Sequence, residues 1–77
     1  MIYYESKKER KERKLRFMHH PPHGTQTKRF ETIREWASNF AEHVTINCPR
    51  CREADIALQK IEEAVMFANA AIARREA

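Results

Sequence analysis

The chain has 77 residues, a net charge of +4, two cysteines and one glycine. A chain of this length forms one small domain, and such domains usually need disulfides, a metal or partner subunits for stability. Two cysteines are too few for a disulfide framework. No apolar run reaches the roughly 18–20 residues of a membrane span, and the N-terminus lacks the apolar core of a signal peptide. We therefore expect a reduced, cytoplasmic, oligomeric protein that has no cofactor and no membrane partner.

The positive charge is concentrated in a basic N-terminal arm, residues 1–15. Residues 5–16 hold seven basic and three acidic residues, whereas residues 17–77 hold eight of each. Basic tracts favour polyanions such as nucleic acid or phosphorylated ligands. Equally, the arm can be a solvated helix stabilised by the pairs Glu9–Arg13 and Glu12–Arg16, which have i,i+4 spacing. The charge pattern alone leaves both interpretations open.

Residues 16–77 predict a separate hairpin domain that begins with a hinge. The segment RFMHHPPHGT contains two prolines and the only glycine, which forbid a continuous helix. A helix from about Thr25 or Thr27 to about His43 should follow, with either threonine as its N-cap. Residues 45–47 break its pattern. Apolar residues at spacings of 3 and 4 predict this helix: Phe30, Ile33, Ala37, Phe40 and Val44.

The last third of the chain, from CPRC onward, predicts one long helix with Pro49 in its first turn. Its apolar stripe has the same spacing: Leu58, Ile61, Val65, Ala68 and Ile72. Two such stripes joined by a short connection predict an all-α fold, an antiparallel two-helix hairpin with a short N-terminal helical arm. Between Ala64 and Ala73 only Asn69 is polar. A helix that is apolar all round is normally buried, so we expect a homo-oligomer.

Three features could carry chemistry. Cys48 and Cys51 form a C-x-x-C pair, but no second pair exists, so we expect no metal. His19 and His20 precede the two prolines and could either stack on a base or merely cap the hinge. Asn69 could fix helix register in an oligomer or face a ligand pocket. From the residues alone, the register role is favoured, because a polar residue has that role in coiled coils. We find no nucleophile, carboxylate pair or glycine-rich phosphate loop with catalytic spacing, so no enzyme is expected.

The motifs RF-x-x-HPP and CP-x-C-RE, followed by IEEAVMFANAAIAR, carry a resemblance that covers roughly residues 16–75. The chain resembles the helical-hairpin family of small phage anti-defence proteins. These are cyclic-nucleotide sponges that counter CBASS, and relatives that counter Thoeris. The resemblance implies a non-catalytic protein that binds an immune second messenger and withholds it from its effector. It also implies a compact homo-oligomer, often a hexamer, with pockets between protomers.

The resemblance further implies which residues bind the ligand. Many relatives have Tyr before the His-Pro-Pro motif, where this chain has His19. The residues expected to contact ligand are His19, His20, Arg34, Lys60, Asn69 and Arg74. With the resemblance, Asn69 is interpreted as a pocket residue. Such a ligand has two phosphates and two flat bases, and needs cations, aromatic faces and amide donors.

The expected function is therefore sequestration, without cleavage, of cyclic di- or trinucleotides or cyclic ADP-ribose isomers in the cytoplasm of an infected bacterium. The alternative is a small nucleic-acid-binding or regulatory phage protein that uses the basic arm, although nucleic acid is not the expected partner.

Overall fold

A computed structural model describes residues 2–76, which form three α-helices and no strand. Helix α1 spans Lys7–Phe17, α2 spans Gln26–Asn47 and α3 spans Arg52–Arg75. Helices α2 and α3 pack against each other. The predicted all-α hairpin with a helical N-terminal arm is thereby confirmed. No helix within residues 2–76 has the length and apolar character to cross a membrane.

Helix α1 begins with a capping box. The Glu9 N–H donates to the Ser6 hydroxyl at 3.1 Å, and the Ser6 N–H donates to the Glu9 carboxylate at 3.2 Å. Two orphan backbone donors at the helix start are thus satisfied. The predicted pairs within α1 do not form: Arg13 pairs with Glu5 at 2.7 Å, and Glu12 pairs with Arg75 on α3. The second pair ties the arm to the end of the hairpin.

The start of α2 differs from the predicted cap. Thr25 occupies the N-cap position, but its hydroxyl accepts from the Arg29 side chain at 3.1 Å instead of from a backbone N–H. The carboxamide oxygen of Gln26 instead accepts from the His23 N–H at 3.2 Å. Gly24 precedes this turn with φ of 57°, a left-handed conformation that glycine adopts without steric cost. The turn therefore depends on Gly24 and Gln26 more than on a threonine cap.

Helix α2 continues past the predicted end near His43 to Asn47, so the expected break at residues 45–47 is wrong. The Thr45 hydroxyl donates to the Ala41 carbonyl at 2.9 Å, and the Asn47 amide donates to the His43 carbonyl at 2.8 Å. Each of these carbonyls also accepts from the backbone N–H four residues later, so the side chains add second bonds within the helix. The polar residues at 45 and 47 are therefore accommodated inside α2 instead of ending it.

The prediction that Pro49 lies in the first turn of α3 is wrong, because Pro49 lies in the connection before that helix. The N-cap of α3 is Cys51, and the helix begins at Arg52. Glu53 and Asp55 lie in its first turn, where negative charge complements the helix dipole.

One polar cluster fastens the beginning of α2 to the end of α3. Gln26 is 2% exposed and is the only buried residue among those described. Arg29 forms a bidentate pair with Glu76, with one bond of 2.8 Å. The His23 ring bonds the Glu76 carbonyl at 3.0 Å. Arg29, helped by Gln26, lowers the pKa of Glu76 from 4.5 to about 2.

The hairpin leaves an unusually large surface exposed. No hydrophobic residue among those described is buried. The accessible area is 6925 Å², whereas a compact monomer of this mass would expose roughly 4,900 Å². The radius of gyration is 16.9 Å, against about 11.5 Å for a compact chain of this length. The apolar stripes are therefore only half covered within one chain.

Candidate ligand-binding cleft

A cleft of about 410 Å³ lies where the hinge meets both helices of the hairpin. The C-terminal end of α1, the hinge, α2 and α3 all contribute side chains to it. Its walls combine basic, aromatic, thioether and amide groups: Arg16, Met18, His19, His20, Phe30, Arg34, Met66, Asn69, Ala70, Ala73 and Arg74. We call this surface the hinge cleft.

Helical spacing explains why these residues share one surface. Phe30 and Arg34 are four residues apart on α2, so their side chains lie one turn above each other. Met66, Asn69 and Ala73 follow at spacings of three and four on α3, which places them on one face. The alanines leave space between the larger side chains. The sequence thus builds two walls of the hinge cleft from two regular helices.

The hinge and the end of α1 form the third wall of the cleft. The carbonyl of Leu15 can only accept a hydrogen bond, and the Nε2 atom of His20 lies 2.8 Å from it. Nε2 of His20 must therefore carry a proton. Arg75 bonds the Glu12 carboxylate, with one distance of 3.0 Å. Arg75, with Arg74 among the nearby cations, lowers the pKa of the Glu12 carboxyl. These contacts hold the arm beside the cleft.

The cleft is rich in cations without acidic partners. Among residues 2–76, no ion pair involves Arg16, Arg34 or Arg74. The guanidinium of Arg16 lies 6.0 Å from the ring centroid of Phe17, at the limit of a cation–π contact. Arginine presents a planar fork that binds phosphate in a bidentate manner and also stacks on flat rings. The cleft therefore has the groups required by a planar anionic ligand.

Asn69 carries the most informative polar atom in the cleft. Its side-chain oxygen is buried and has no hydrogen-bond partner within residues 2–76. Leaving such an acceptor unsatisfied costs about 1–3 kcal/mol. This oxygen is enclosed in the single chain, so the Asn69 side chain must turn towards the cleft before a ligand donor, such as the exocyclic amine of a base, can bond it.

Five of the six residues expected to bind ligand line this one cleft: His19, His20, Arg34, Asn69 and Arg74. The structure does not bring Lys60 together with them. Lys60 lies on another face of α3, where its ammonium pairs with Glu63 at 3.2 Å. The cleft also contains Arg16, Phe30 and Met66, which were not predicted from the sequence to bind ligand. Arg16 and Phe17 did belong to the quoted RF-x-x-HPP motif, which was the available signal for the first of them.

An apolar groove of about 580 Å³ runs between α2 and α3 beside the hinge cleft. Trp36 and Phe40 form part of it, and they are 71% and 60% exposed. The other lining residues are almost all aliphatic: Ile33, Ala37, Ala57, Ile61, Ala64, Val65 and Ala68, together with Lys60. Large exposed apolar patches of this kind mark interaction sites in soluble proteins. We call this surface the apolar groove.

Within residues 2–76, no group of three or more His, Cys, Asp or Glu side chains is placed to hold a metal ion. What the hinge cleft offers is recognition chemistry: guanidinium groups for phosphate, aromatic faces for bases and an amide for base edges.

Comparison with known proteins finds a matching family description. The family description "Acb2/Tad1, hairpin domain" matches residues 10–73, which include α2, most of α1 and α3, and every residue of the hinge cleft except Arg74. No curated protein and no solved structure matches the chain. The Acb2/Tad1 family is one of sponge proteins that bind cyclic nucleotides. Because the match extends over most of its length, the chain belongs to the Acb2/Tad1 hairpin-domain family.

Proposed function

We propose that this protein sequesters cyclic oligonucleotide or cyclic ADP-ribose-type immune second messengers in the hinge cleft and releases them intact. The observation that carries the proposal is that one cleft of a sponge-family hairpin brings together three arginines and one amide oxygen that have no partner within residues 2–76. Its setting is the cytoplasm of a bacterium infected by a phage, where the protein counters a nucleotide-based defence.

Arg34 and Arg74 are the proposed phosphate contacts. They lie on different helices, so they approach the cleft from two sides. The two phosphates of a cyclic dinucleotide carry negative charge, and a charge-assisted hydrogen bond contributes about 1.5–3 kcal/mol. Arg16 adds a third cation from α1. Sequestration requires affinity, and several charge-assisted bonds provide it without any reacting group.

His19 and Phe30 are the proposed stacking partners for bases. His19 is exposed at the mouth of the cleft, and Phe30 is half-buried within it. Base stacking on an aromatic side chain contributes about 1–3 kcal/mol per base and tolerates different bases. His20 has a second role, since its Nε2 proton already bonds the Leu15 carbonyl. Its ring therefore fixes the hinge and presents one edge to the cleft.

Asn69 is the proposed reader of a base edge. An asparagine amide can accept from the adenine amino group while donating to the neighbouring ring nitrogen. The Oδ1 atom of Asn69 has no partner within residues 2–76, so a hydrogen bond from the ligand would also remove the cost of leaving that oxygen unsatisfied. A ligand that contains adenine should therefore bind more tightly than its uracil analogue.

A homo-oligomer is the proposed functional form, with a hexamer implied by the resemblance. A second copy in the apolar groove would cover Trp36 and Phe40, which are exposed in the single chain. The single chain exposes roughly 2,000 Å² more than a compact monomer of its mass, an area in the range of stable interfaces. The groove and the hinge cleft occupy adjoining faces of α3, so a second copy would lie beside the bound nucleotide.

The test is a thermal-shift panel of cyclic dinucleotides, cyclic trinucleotides and cyclic ADP-ribose isomers, because ligands that bind the native state raise its stability. At least one class should raise the melting temperature in a concentration-dependent way. Chromatography of ligand recovered after heat denaturation should then show an unchanged cyclic compound. A linear or mononucleotide product would show that the protein is an enzyme. No change in melting temperature with any of the ligands would refute the sponge function.

A second candidate function is nucleic-acid binding through the arm. Four cations on one face of α1 have no ion-pair partner within residues 2–76: Lys7, Arg10, Lys11 and Lys14. Binding of this kind weakens steeply with salt, with a slope near −0.9 per phosphate contacted on duplex DNA. Binding in the hinge cleft should show a weaker salt dependence, and substitutions in the arm should leave it largely unchanged.

A further inference from the structure

The connection between α2 and α3 presents two free thiols that the nucleotide site does not use. Cys48 is the C-cap of α2 and is exposed, whereas Cys51 is the N-cap of α3 and is half-buried. Only Pro49 and Arg50 separate them. Both cysteines line the same depression at the end of the hairpin. We call this end, residues 48–51, the hairpin tip.

Neither thiol has an evident structural role. Free cysteine is among the most buried residue types, yet Cys48 is exposed. The N-cap position favours Ser, Thr, Asp or Asn, whose side chains bond a free backbone N–H and contribute about 1 kcal/mol. Cys51 makes no such bond. Packing and capping therefore leave these two cysteines unexplained.

The spacing of the two thiols fits half of a tetrahedral zinc site. Structural zinc is held by four ligands, commonly cysteine pairs with two to four intervening residues. Within residues 2–76 no third His, Cys, Asp or Glu joins the pair. One chain therefore supplies two of the four ligands, and an identical tip would supply the other two.

We propose that the tips of two copies of this chain hold one zinc ion between them through Cys48 and Cys51 of each copy. The local charge favours this site. Zinc with four thiolates has a net charge of about −2. Arg50 and Arg52 flank Cys51 in the chain and line the same depression. Because the tip lies at the opposite end of the hairpin from the cluster of Gln26, Arg29 and Glu76, the metal joins chains without touching that cluster.

The site also has a defined relation to the rest of the molecule. The zinc uses none of the residues of the hinge cleft or the apolar groove. It therefore adds a link between chains that is separate from the apolar contact. Removal of the metal should leave nucleotide binding within one chain's cleft intact.

The experiment measures metal content after expression with zinc and purification under reducing conditions. Mass spectrometry of the metal should give about one zinc per two chains. Cys48→Ser and Cys51→Ser should each abolish it, whereas the neighbouring control Asn47→Ser should retain it. The cobalt-substituted protein should show a thiolate-to-cobalt charge-transfer band that both cysteine variants lack.

Three results would overturn the proposal: no zinc after reconstitution with the reduced protein, one zinc per chain, or zinc retained by the Cys48→Ser/Cys51→Ser double variant. Circular dichroism of the variants shows whether they are folded. A folded double variant that loses zinc but still binds cyclic nucleotide separates this site from the proposed nucleotide function. A protein that contains the expected zinc but binds no cyclic nucleotide would refute the proposed nucleotide function and leave the zinc site standing.

Discussion

Replacement of Asn69 by leucine should stabilise the free protein and weaken its binding of nucleotide. The side-chain oxygen of Asn69 is buried and has no hydrogen-bond partner in the described part of the chain, which costs about 1–3 kcal/mol. Leucine has the same branched outline, with two methyl groups in place of the amide oxygen and nitrogen, so the substitution removes that cost. For a domain of this size, 1 kcal/mol corresponds to about 4–8 °C in melting temperature. The variant should therefore melt at least about 4 °C higher at equal protein concentration.

The same change should reduce affinity. A neutral hydrogen bond contributes about 0.5–1.5 kcal/mol net, which corresponds to roughly two- to thirteenfold in Kd. The loss should be selective for ligands with an amino group on the base. Differential scanning calorimetry and isothermal titration calorimetry measure the two effects. Met66→Leu is the matched control, because Met66 lines the same cleft without a hydrogen-bonding amide.

The opposite signs of the two effects make the test strict. A role in helix register predicts that Asn69→Leu changes the oligomer size and affects every ligand equally. Light scattering at fixed concentration separates that outcome from the ligand role. A variant that is less stable than the original, or that keeps full affinity for all three ligand classes, would refute the assignment of Asn69 to the pocket.

Three further outcomes are expected. Arg34→Ala should weaken dinucleotide binding roughly ten- to a hundredfold by calorimetry while the control Arg50→Ala does not, and an unchanged Kd would place the phosphate contact elsewhere. Ala68→Glu should dissociate the oligomer in light scattering, because it places an unpaired charge in the apolar groove; an intact assembly would show that the groove is not the interface. The pKa of Glu76 is lowered to about 2 from 4.5, so the stability that it contributes is present above pH 4.5 and is lost as pH falls towards 2. Glu76→Gln should therefore flatten the melting-temperature profile over that range, and an unchanged profile would contradict the role of the Arg29 pair.

The hairpin could be predicted from the sequence because its signal is local. Apolar residues at spacings of 3 and 4 mark both helices, and Pro21, Pro22 and Gly24 mark the hinge. The end of α2 was harder to predict from the sequence. Thr45 and Asn47 are poor helix formers in general, but here their side chains bond carbonyls one turn earlier. The outcome depends on which rotamer the side chain adopts, which a spacing pattern does not encode.

The hinge cleft could be predicted only in part. Asn69 was identifiable as the single polar residue in an apolar run, since that pattern lies within one helix. Arg16 was missed because its position depends on long-range contacts of the arm, above all the pair between Glu12 and Arg75. Lys60 was placed with the ligand residues by family resemblance alone. In the structure Lys60 lies between Ala57 and Ala64 along α3, and all three residues line the apolar groove instead of the hinge cleft.

The most direct test of the central claim is calorimetric titration of the purified protein with a cyclic dinucleotide, a cyclic trinucleotide and a cyclic ADP-ribose isomer, followed by heat release and chromatography. We expect saturable binding of at least one class, loss of that binding in Arg34→Ala, and full recovery of the cyclic compound. Absence of binding by all three classes, or recovery of a cleaved product, would contradict it.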